Sequence, residues 1–375
     1  MLNEAELEYL GILNWHRKGY KGRNAVICSK ENVIANVFDD VEAIEFETDH
    51  GRFSVHGTNV MDYIRQVAPQ ARKITAETSG TTKMGVLYSA GMDYMQKIVP
   101  DILTTSTWGS SDIKDPLVTL YRQLLDKGCF LCCAAGNNNN DGLIPLTKGD
   151  MWKAIGACRY NKGKPWKASY SSVGDELDFV SFDHLKATWD DCYHNGTSFA
   201  SPLFAAMLAL VQGFFMDKTG RKLNHEQLIQ FVKDNCIDLE NDGWDNWYGW
   251  GLFVLPDPDT IDVFKYTTMI TIDEVFDYLR AEGELLEPEY WKKKIVEEDK
   301  IKWLFIKWAN AVRMARHSQE KDFSIIDNYE IKDILNKLHE SGWLLEPEYW
   351  KQKIAQEDKL KWMFFKWYYA TQRVI

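Results

Sequence analysis

A serine stands at the start of the most apolar stretch of the chain. Ser198 lies in the segment Asn195–Pro202, and the residues that follow, from Pro202 to Met216, are almost all apolar. This stretch is shorter than the roughly 20 apolar residues that a membrane span needs, so it predicts a buried core helix. A hydroxyl at a helix N-terminus lies near unpaired N–H groups and the positive end of the helix dipole, where negative charge developing on an acyl oxygen is stabilised. Ser198 is therefore a candidate nucleophile; the simpler alternative is a helix cap.

Other segments point to the same chemistry and occur in a recognisable order. They are His56–Val60, Val67–Ala71, Ala134–Asn137, Lys167–Gly174, Gly196–Pro202 and Tyr248–Gly251. In this order they resemble the H-G-T-H-V, V-A-P-x-A, A-A-G-N, R-A-S-F-S-S-x-G, G-T-S-x-A-S-P and Y-G-x-G motifs of the subtilisin-like (subtilase, S8 family) serine proteases. The resemblance extends over about residues 12–255.

The resemblance implies roles for individual residues. Ser198 would attack a peptide carbonyl, His56 would carry the proton to the leaving amine, and Asn137 would hold the oxyanion with the Ser198 N–H. An extended peptide would pair with the chain after a strand, next to the first side-chain pocket. The residues implied in substrate binding are Thr107, Trp108, Gly109, Ala134, Ala135, Gly136 and Leu143. Because Leu143 aligns where many relatives have glycine, we expect a shallow pocket.

The resemblance fails at the position of the family's catalytic aspartate. The segment Ala25–Lys30 aligns with a V-I-D-S-G strand end and places Cys28 where the aspartate is expected. A neutral thiol is a weak acceptor and orients an imidazole poorly. Three interpretations stay open: a Cys28 thiolate, a carboxylate from elsewhere, or a protein that binds without cleaving. The carboxylates between the two motifs are Asp39, Asp40 and Asp49. For Cys28 itself, an inert buried thiol is the simplest interpretation.

The elements that must position these residues alternate along the chain. Apolar runs at Asn24–Cys28, Ile102–Ser106 and Phe130–Ala134 are separated by helical patterns near 86–98 and 115–127. This alternation predicts an α/β domain with a doubly wound parallel sheet and helices on both faces, as in the subtilisin-like fold. Active sites of such sheets form at the carboxyl ends of the strands, and the motif residues fall there.

The end of the chain contains a tandem repeat. Leu285–Trp291 returns as Leu344–Trp350 at an offset of 59 residues, and the same offset relates Trp308 to Trp367. The spacing predicts a small all-α module of amphipathic helices whose apolar faces need a partner. We expect a peptidase domain at 1–257, a linker at 258–268, and helical repeats at 269–316 and 328–375. Two interpretations stay open for the repeats: packing on the peptidase domain or self-association, or a Trp-rich surface that binds a protein partner or carbohydrate.

Composition restricts the partners and the compartment. The chain has 44 Lys and Arg against 55 Asp and Glu, a net charge of −11, which disfavours nucleic-acid or membrane binding. Its seven cysteines lack regular spacing, which argues for reduced thiols. We expect no cofactor and no metal, since no zinc spacing or calcium loop is recognisable. The acidic first residues do not resemble a secretory signal, so we expect a cytoplasmic or phage-encoded protein.

These observations predict a serine endopeptidase that acts on peptide or protein substrates through an acyl-enzyme on Ser198. We expect its activity to be attenuated or specialised by Cys28. The alternative is a catalytically weak pseudoprotease that acts as a binding or structural protein through its groove and its Trp-rich helical tail.

Overall fold

A computed structural model gives the fold. It describes residues 3–34, 37–44, 52–76, 94–107, 116–139, 142–147, 151–161, 163–267 and 331–340, and the single residues Trp291, Trp308, Leu344, Trp350 and Trp367. The chain divides into two compact units, each described by itself. One contains Met1–Asp217 and Arg221–Asp262, and the other contains Lys218–Gly220 and Val263–Ile375.

The first unit is built on a single sheet, and its described strands are ten in number. They are β1 (Val26–Ser29), β2 (Val41–Ile44), β3 (Arg72–Ala76), β4 (Ile102–Thr105), β5 (Phe130–Ala134), β6 (Lys153–Asn161), β7 (Lys164–Lys167), β8 (Leu177–Phe182), β9 (Cys236–Ile237) and β10 (Leu252–Phe253). Their order is β2-β3-β1-β4-β5-β6-β8-β10-β9, with β7 paired to β6. Only the β6–β7 and β9–β10 pairs are antiparallel among these strands.

Helices complete the described structure. They are α1 (Glu4–Tyr9), α2 (Ile12–Arg17), α3 (Arg52–Val67), α4 (Pro116–Asp126), α5 (Thr197–Thr219), α6 (His225–Asp234), α7 (Val263–Thr267) and α8 (Ile331–Glu340), with short 3-10 turns at Pro145–Thr147 and Pro258–Thr260. Helix α6 begins with a reciprocal capping box, in which the Asn224 side chain accepts from the Gln227 N–H and the Gln227 side chain accepts from the Asn224 N–H. Such a cap satisfies two N–H groups that have no partner within the helix.

The predicted parallel α/β fold is confirmed. The apolar run Phe130–Ala134 forms β5 and is buried along its whole length, as expected for a central strand covered on both faces. The run Ile102–Ser106 forms β4, and the helical pattern near 115–127 forms α4. Of the helix expected near 86–98, residues 94–98 are helical and the remainder lies outside the described residues.

The apolar stretch after Ser198 forms the core helix of this unit. Helix α5 is apolar enough and long enough to cross a membrane, but 94% of its most apolar window is buried inside the protein. Its side chains from Leu203 to Val211 are all fully buried. A helix that is apolar on every side belongs in the core of a large domain, so α5 anchors whatever its N-terminus carries.

The C-terminal repeats lie largely outside the described residues, and the predicted domain boundaries stay predictions. The described tryptophans of the tail are Trp291, Trp308, Trp350 and Trp367, and all four are buried. They form two pairs related by the repeat offset of 59 residues, so equivalent tryptophans of the two copies are both buried. These four side chains do not contribute to an exposed tryptophan surface.

Candidate active site

Neighbouring strand ends meet at one edge of the sheet. After β1 the chain builds β2 and β3 on one side and then crosses to β4 on the other, so β1 and β4 flank a topological switch point. In open α/β sheets, ligands bind outside the carboxyl ends of the strands at this point. Glu31 follows β1, Ser106 follows β4 and Asn137 follows β5. The fold therefore gathers polar groups where substrate binding is expected.

Ser198 occupies the first turn of α5. Thr197 is the first helical residue, and Ser198 is half-buried just behind it. Two contacts from the sheet fix this turn: the Gly136 N–H donates to Thr197 Oγ1 (3.1 Å) and Ser106 Oγ donates to the Ser198 carbonyl oxygen (2.7 Å). The hydroxyl of Ser198 is thus held at the positive end of a long buried helix, as the sequence predicted.

The Asn137 side chain is oriented by the same turn. Its Oδ1 accepts from the Thr197 N–H (3.0 Å) and from Thr197 Oγ1 (3.1 Å), which leaves the amide nitrogen as the end that faces Gly196. A Cβ built on Gly196 would lie 3.3 Å from Asn137 Nδ2 and 3.8 Å from the Ser198 nitrogen. The Asn137 amide nitrogen and the Ser198 backbone nitrogen therefore both lie beside Gly196, and both are groups of the kind that can donate to an oxyanion.

His56 approaches from α3. Its ring packs against Phe199, the residue after Ser198, with ring centroids 5.5 Å apart. Its Nδ1 lies 3.3 Å from Glu31 Oε2, and the Glu31 side chain is only 3% exposed. The structure therefore brings His56, Ser198 and Asn137 together, and it adds a buried carboxylate that the sequence interpretation did not name.

Cys28 does not face His56. Its side chain is fully buried in an apolar cluster with Leu103, Cys133 and Trp152, and its Sγ lies 3.4 Å from Met95 Sδ. Burial raises the pKa of the Cys28 thiol to about 12, so the thiol is neutral near pH 7. The structure therefore supports neither the assignment of Cys28 to the triad aspartate position nor the thiolate interpretation, and it favours the inert buried thiol.

Of the three aspartates considered as substitutes, Asp40 is paired elsewhere in the structure. Asp40 is paired with Arg65 Nε (2.6 Å) and Lys73 Nζ (3.2 Å), and these cations hold its pKa below the usual range despite partial burial. Asp39 is exposed to solvent, and Asp49 lies outside the described residues. The sequence analysis missed Glu31 because it considered only aspartates, and no glutamate, between the end of the first strand and His56. The signal available was an acidic residue, Glu31, three positions after the predicted first strand Asn24–Cys28.

The residues expected to bind substrate lie at this same edge. Ala134 ends β5, and Ala135 and Gly136 follow it. Ile144, next to Leu143, donates its N–H to the Ala135 carbonyl (3.1 Å). Thr107 follows β4 and its hydroxyl contacts Thr105 Oγ1 (2.9 Å). A Cβ on Gly174 would lie 3.3 Å from Leu143 Cδ1, so Leu143 packs against that glycine. Trp108 and Gly109 lie outside the described residues.

A buried aspartate supports the loop before Ser198. Asp183 Oδ2 accepts from the Gly196 N–H (2.9 Å) and from the Tyr170 hydroxyl, and Arg159 Nε lies 3.8 Å from Oδ1. Burial raises the pKa of the Asp183 carboxyl from 3.8 to about 6, against the opposing effects of the Gly196 hydrogen bond and the Arg159 charge. This carboxylate orders the backbone that precedes the nucleophile.

We expect Asp183 to make the protein less stable as pH rises from about 4 to about 6. In this window the unfolded chain releases the Asp183 proton while the folded protein retains it, so the stabilisation is full below pH 4 and lost above pH 6. The cost above this window is of order 3 kcal/mol. Urea unfolding across the range should show this slope in the wild type and a flatter one in Asp183→Asn. Equal slopes in both proteins would contradict the assignment.

No metal site is formed by the described residues: none of their His, Cys, Asp and Glu side chains cluster in groups of three or more. All seven cysteines are described, and each is a free thiol. The site is thus made of a hydroxyl, an imidazole, a carboxylate and amide donors.

The fold and this site define a subtilisin-like α/β protein. On a mostly parallel sheet it combines a serine on the first turn of a buried helix, an imidazole on a second helix and an asparagine after a neighbouring strand. The chain belongs to the subtilase family: the model described as "Peptidase_S8: Subtilase family" matches residues 39–251. Membership implies that its substrates are peptides or proteins. The match begins after β1, so Cys28 and Glu31 both lie outside it.

Solved structures show the same fold at low sequence identity. A lanthipeptide protease is 15% identical, with a TM-score of 0.52, over 66% of this chain and 92% of that one. The prenylagaramide maturation protease PagA is 17% identical, with a TM-score of 0.54, over 66% and 96%. Fervidolysin from Fervidobacterium pennivorans, a keratinolytic enzyme related to subtilisin, is 18% identical with a TM-score of 0.55, over 69% of this chain and 46% of that one. Among curated protein sequences, none matches the chain significantly.

Proposed function

We propose that the chain is a serine endopeptidase that cleaves peptide bonds through an acyl-enzyme on Ser198. The observation that carries the proposal is the convergence at the start of α5. His56 packs on Phe199, while the Ser198 backbone nitrogen and Asn137 Nδ2 both lie beside Gly196. A binding protein would need a groove there, but it would not need a base, a hydroxyl and two oxyanion donors together.

The proposed reaction follows from these positions. Ser198 Oγ attacks the peptide carbonyl carbon as its proton passes to His56 Nε2, and the carbonyl oxygen becomes an oxyanion held by Asn137 Nδ2 and the Ser198 N–H. When the C–N bond breaks, His56 gives the proton to the leaving amine. Water then attacks the acyl-enzyme with His56 again as base, which releases the acid and restores Ser198.

Substrate binding in this proposal uses the strand ends on both sides of the site. An extended peptide would add to the chain that follows β4, where Thr107 lies, and its side chain before the cleaved bond would meet Ala134, Ala135 and Gly136. The contact between Leu143 and Gly174 supports a shallow pocket, because the leucine side chain fills space that a glycine at position 143 would leave open. We therefore propose a preference for a small side chain at this position.

A cytoplasmic location remains part of the proposal. The seven free cysteines support it, because five of them are buried thiols that a reducing compartment keeps unpaired. We also propose that the C-terminal tryptophan-rich repeats bind a protein partner or a second copy of the chain, which measurement of the oligomeric state in solution would test.

Covalent labelling tests the proposed function directly. The folded full-length protein is treated with a fluorophosphonate probe, and the modified residue is located by mass spectrometry. We expect one adduct, on Ser198, because only a serine with an adjacent base and an oxyanion site reacts rapidly. Protein unfolded before treatment should not be labelled. No adduct on the folded protein, from mildly acidic to alkaline pH, would reject the peptidase and favour a protein that binds without cleaving.

A further inference from the structure

We propose that Glu31 is the carboxylate that orients His56, and that it replaces an aspartate at the end of β1. It is a positioning residue: it acts on the substrate only through the imidazole. Glu31 Oε2 lies 3.3 Å from His56 Nδ1, the ring nitrogen opposite the one that faces the nucleophile in the proposed reaction. This inference rests on the proposed function for its catalytic meaning, but the pairing itself is measured independently below.

Both oxygens of the carboxylate have a use. Oε1 accepts the Ser106 N–H at 2.7 Å, and Oε2 faces the imidazole. Glu31 is therefore held in a fixed direction with one oxygen left for His56.

Glu31 is held from both neighbours of β1, through its backbone on one side and its carboxylate on the other. On one side, Thr75 Oγ1 in β3 donates to the Glu31 carbonyl oxygen at 2.5 Å. On the other side, Ser106 follows β4 and donates to the carboxylate. Since β3 and β4 are the strands that flank β1 in the sheet, the turn after β1 is fixed by the sheet itself. A side chain so fixed can orient an imidazole without losing further conformational freedom.

Gly57 lets α3 approach this turn. A Cβ at residue 57 would lie 1.8 Å from the Asn32 carbonyl oxygen and 3.0 Å from Glu31 Cβ. Any larger residue next to His56 would therefore push the helix away from the turn. The His-Gly pair is what allows the imidazole and the carboxylate to meet across two elements.

The position of Glu31 explains why a cysteine is tolerated on the strand. Cys28 points into the apolar cluster below the sheet edge, whereas Glu31 starts from the turn beyond it. Glutamate is one methylene longer than aspartate, which helps it reach the imidazole from a turn rather than from the strand. When His56 takes the Ser198 proton, the Glu31 carboxylate stabilises the imidazolium by its charge and keeps no proton itself.

The first test compares labelling rates at Ser198 across pH. In subtilisin, a member of the same family, loss of the triad aspartate lowers turnover by roughly 3 × 10⁴. We expect Glu31→Gln to lower the fluorophosphonate labelling rate by about 10³- to 10⁴-fold. The acidic side of its pH profile should also move to lower pH, because the imidazolium loses its anionic neighbour. Glu31→Asp should recover part of the rate.

Cys28 provides the matched controls. Cys28→Ala removes the thiol proposed to have no catalytic role, and we expect a labelling rate within a few-fold of wild type. Cys28→Asp places a carboxylate in the apolar cluster, and we expect no gain in rate. A Glu31→Gln rate close to wild type with an unchanged pH profile would overturn the proposal, as would a large gain in Cys28→Asp.

A spectroscopic measurement separates this proposal from the proposed function. A hydrogen bond to an anion deshields an imidazole proton, so His56 Nδ1–H should give a far-downfield proton resonance that His56→Ala and Glu31→Gln both lack. If the wild type shows this resonance but is not labelled, the pairing holds and the peptidase activity fails. If labelling at Ser198 is strong and the resonance survives in Glu31→Gln, the activity holds and Glu31 is the wrong partner. Urea unfolding of each variant confirms that the protein compared is folded.

Discussion

Ser198→Ala is expected to lower the turnover of a cleavable peptide by about 10⁶-fold while leaving the fold intact. Loss of the corresponding serine in subtilisin costs roughly 2 × 10⁶ in turnover, about 8 kcal/mol of barrier. The same size is expected here because Ser198 sits on the first turn of α5 with its backbone held by Ser106 and with Asn137 nearby. A quenched fluorescent peptide that the wild type cleaves provides the assay, and the variant should retain only the slow residual rate from binding and the oxyanion site.

The matched control is a second serine of the same helix. Ser201 is fully buried, and its hydroxyl contacts Thr104 Oγ1 at 3.0 Å within the core. Ser201→Ala removes one buried hydroxyl and should cost about 1 kcal/mol of stability with little loss of turnover. If Ser198→Ala kept even a hundredth of the wild-type turnover, Ser198 would not be the nucleophile.

His56→Ala should cause a loss of turnover similar to that of Ser198→Ala, again about 10⁶-fold. The hydroxyl of a serine is a weak nucleophile unless a base accepts its proton, and His56 is the imidazole that packs on the residue next to Ser198. The double variant Ser198→Ala/His56→Ala should lose no more than either single variant, because the two groups act as one unit. Turnover of all three proteins on the same peptide measures this non-additivity.

His194 is the control for His56. It also packs on Phe199, with ring centroids 5.3 Å apart, but its Nε2 is 2.9 Å from Asp190 Oδ2. His194→Ala therefore removes an imidazole from the same aromatic contact without removing the group paired with Glu31. We expect a loss of no more than about tenfold, as for a side chain that only supports packing. If the Ser198→Ala/His56→Ala double variant lost turnover by the product of the two single losses, Ser198 and His56 would not share a proton-transfer step.

The fold was predictable from the sequence because its strands are buried on both faces. Phe130–Ala134 was predicted as a continuous apolar strand, and it forms β5 with those bounds. The core helix was equally clear, since an apolar stretch that is too short to span a membrane has few other places to go. Short edge strands such as Cys236–Ile237 were not predicted, because two residues carry no periodic pattern.

The candidate site could be predicted from the sequence where a chemically reactive residue lies within a recognisable short motif. Ser198 and Asn137 were predicted from short motifs that resemble those of the family, and the structure brings their two segments together through Thr197. Glu31 was missed because its role depends on the path of a turn and on contacts with Thr75 and Ser106, which lie far away in sequence. Alignment of the first strand with the family motif placed Cys28 at the aspartate position. Such an alignment does not predict which side chain of the following turn reaches the histidine.

Ser106 joins the two halves of the site through a single residue. Its N–H donates to Glu31 and its hydroxyl donates to the carbonyl of Ser198, so the acid and the nucleophile share one anchor at the end of β4. That anchor lies next to the chain segment on which we expect a substrate to add. A peptide that pairs with this segment would shift Ser106. Because Ser106 hydrogen-bonds to both Glu31 and Ser198, peptide binding would change the positions of the acid and of the nucleophile at the same time. Substrate binding would then position the acid and the nucleophile together. Short peptides that do not reach this segment would be cleaved more slowly than their binding affinity alone predicts.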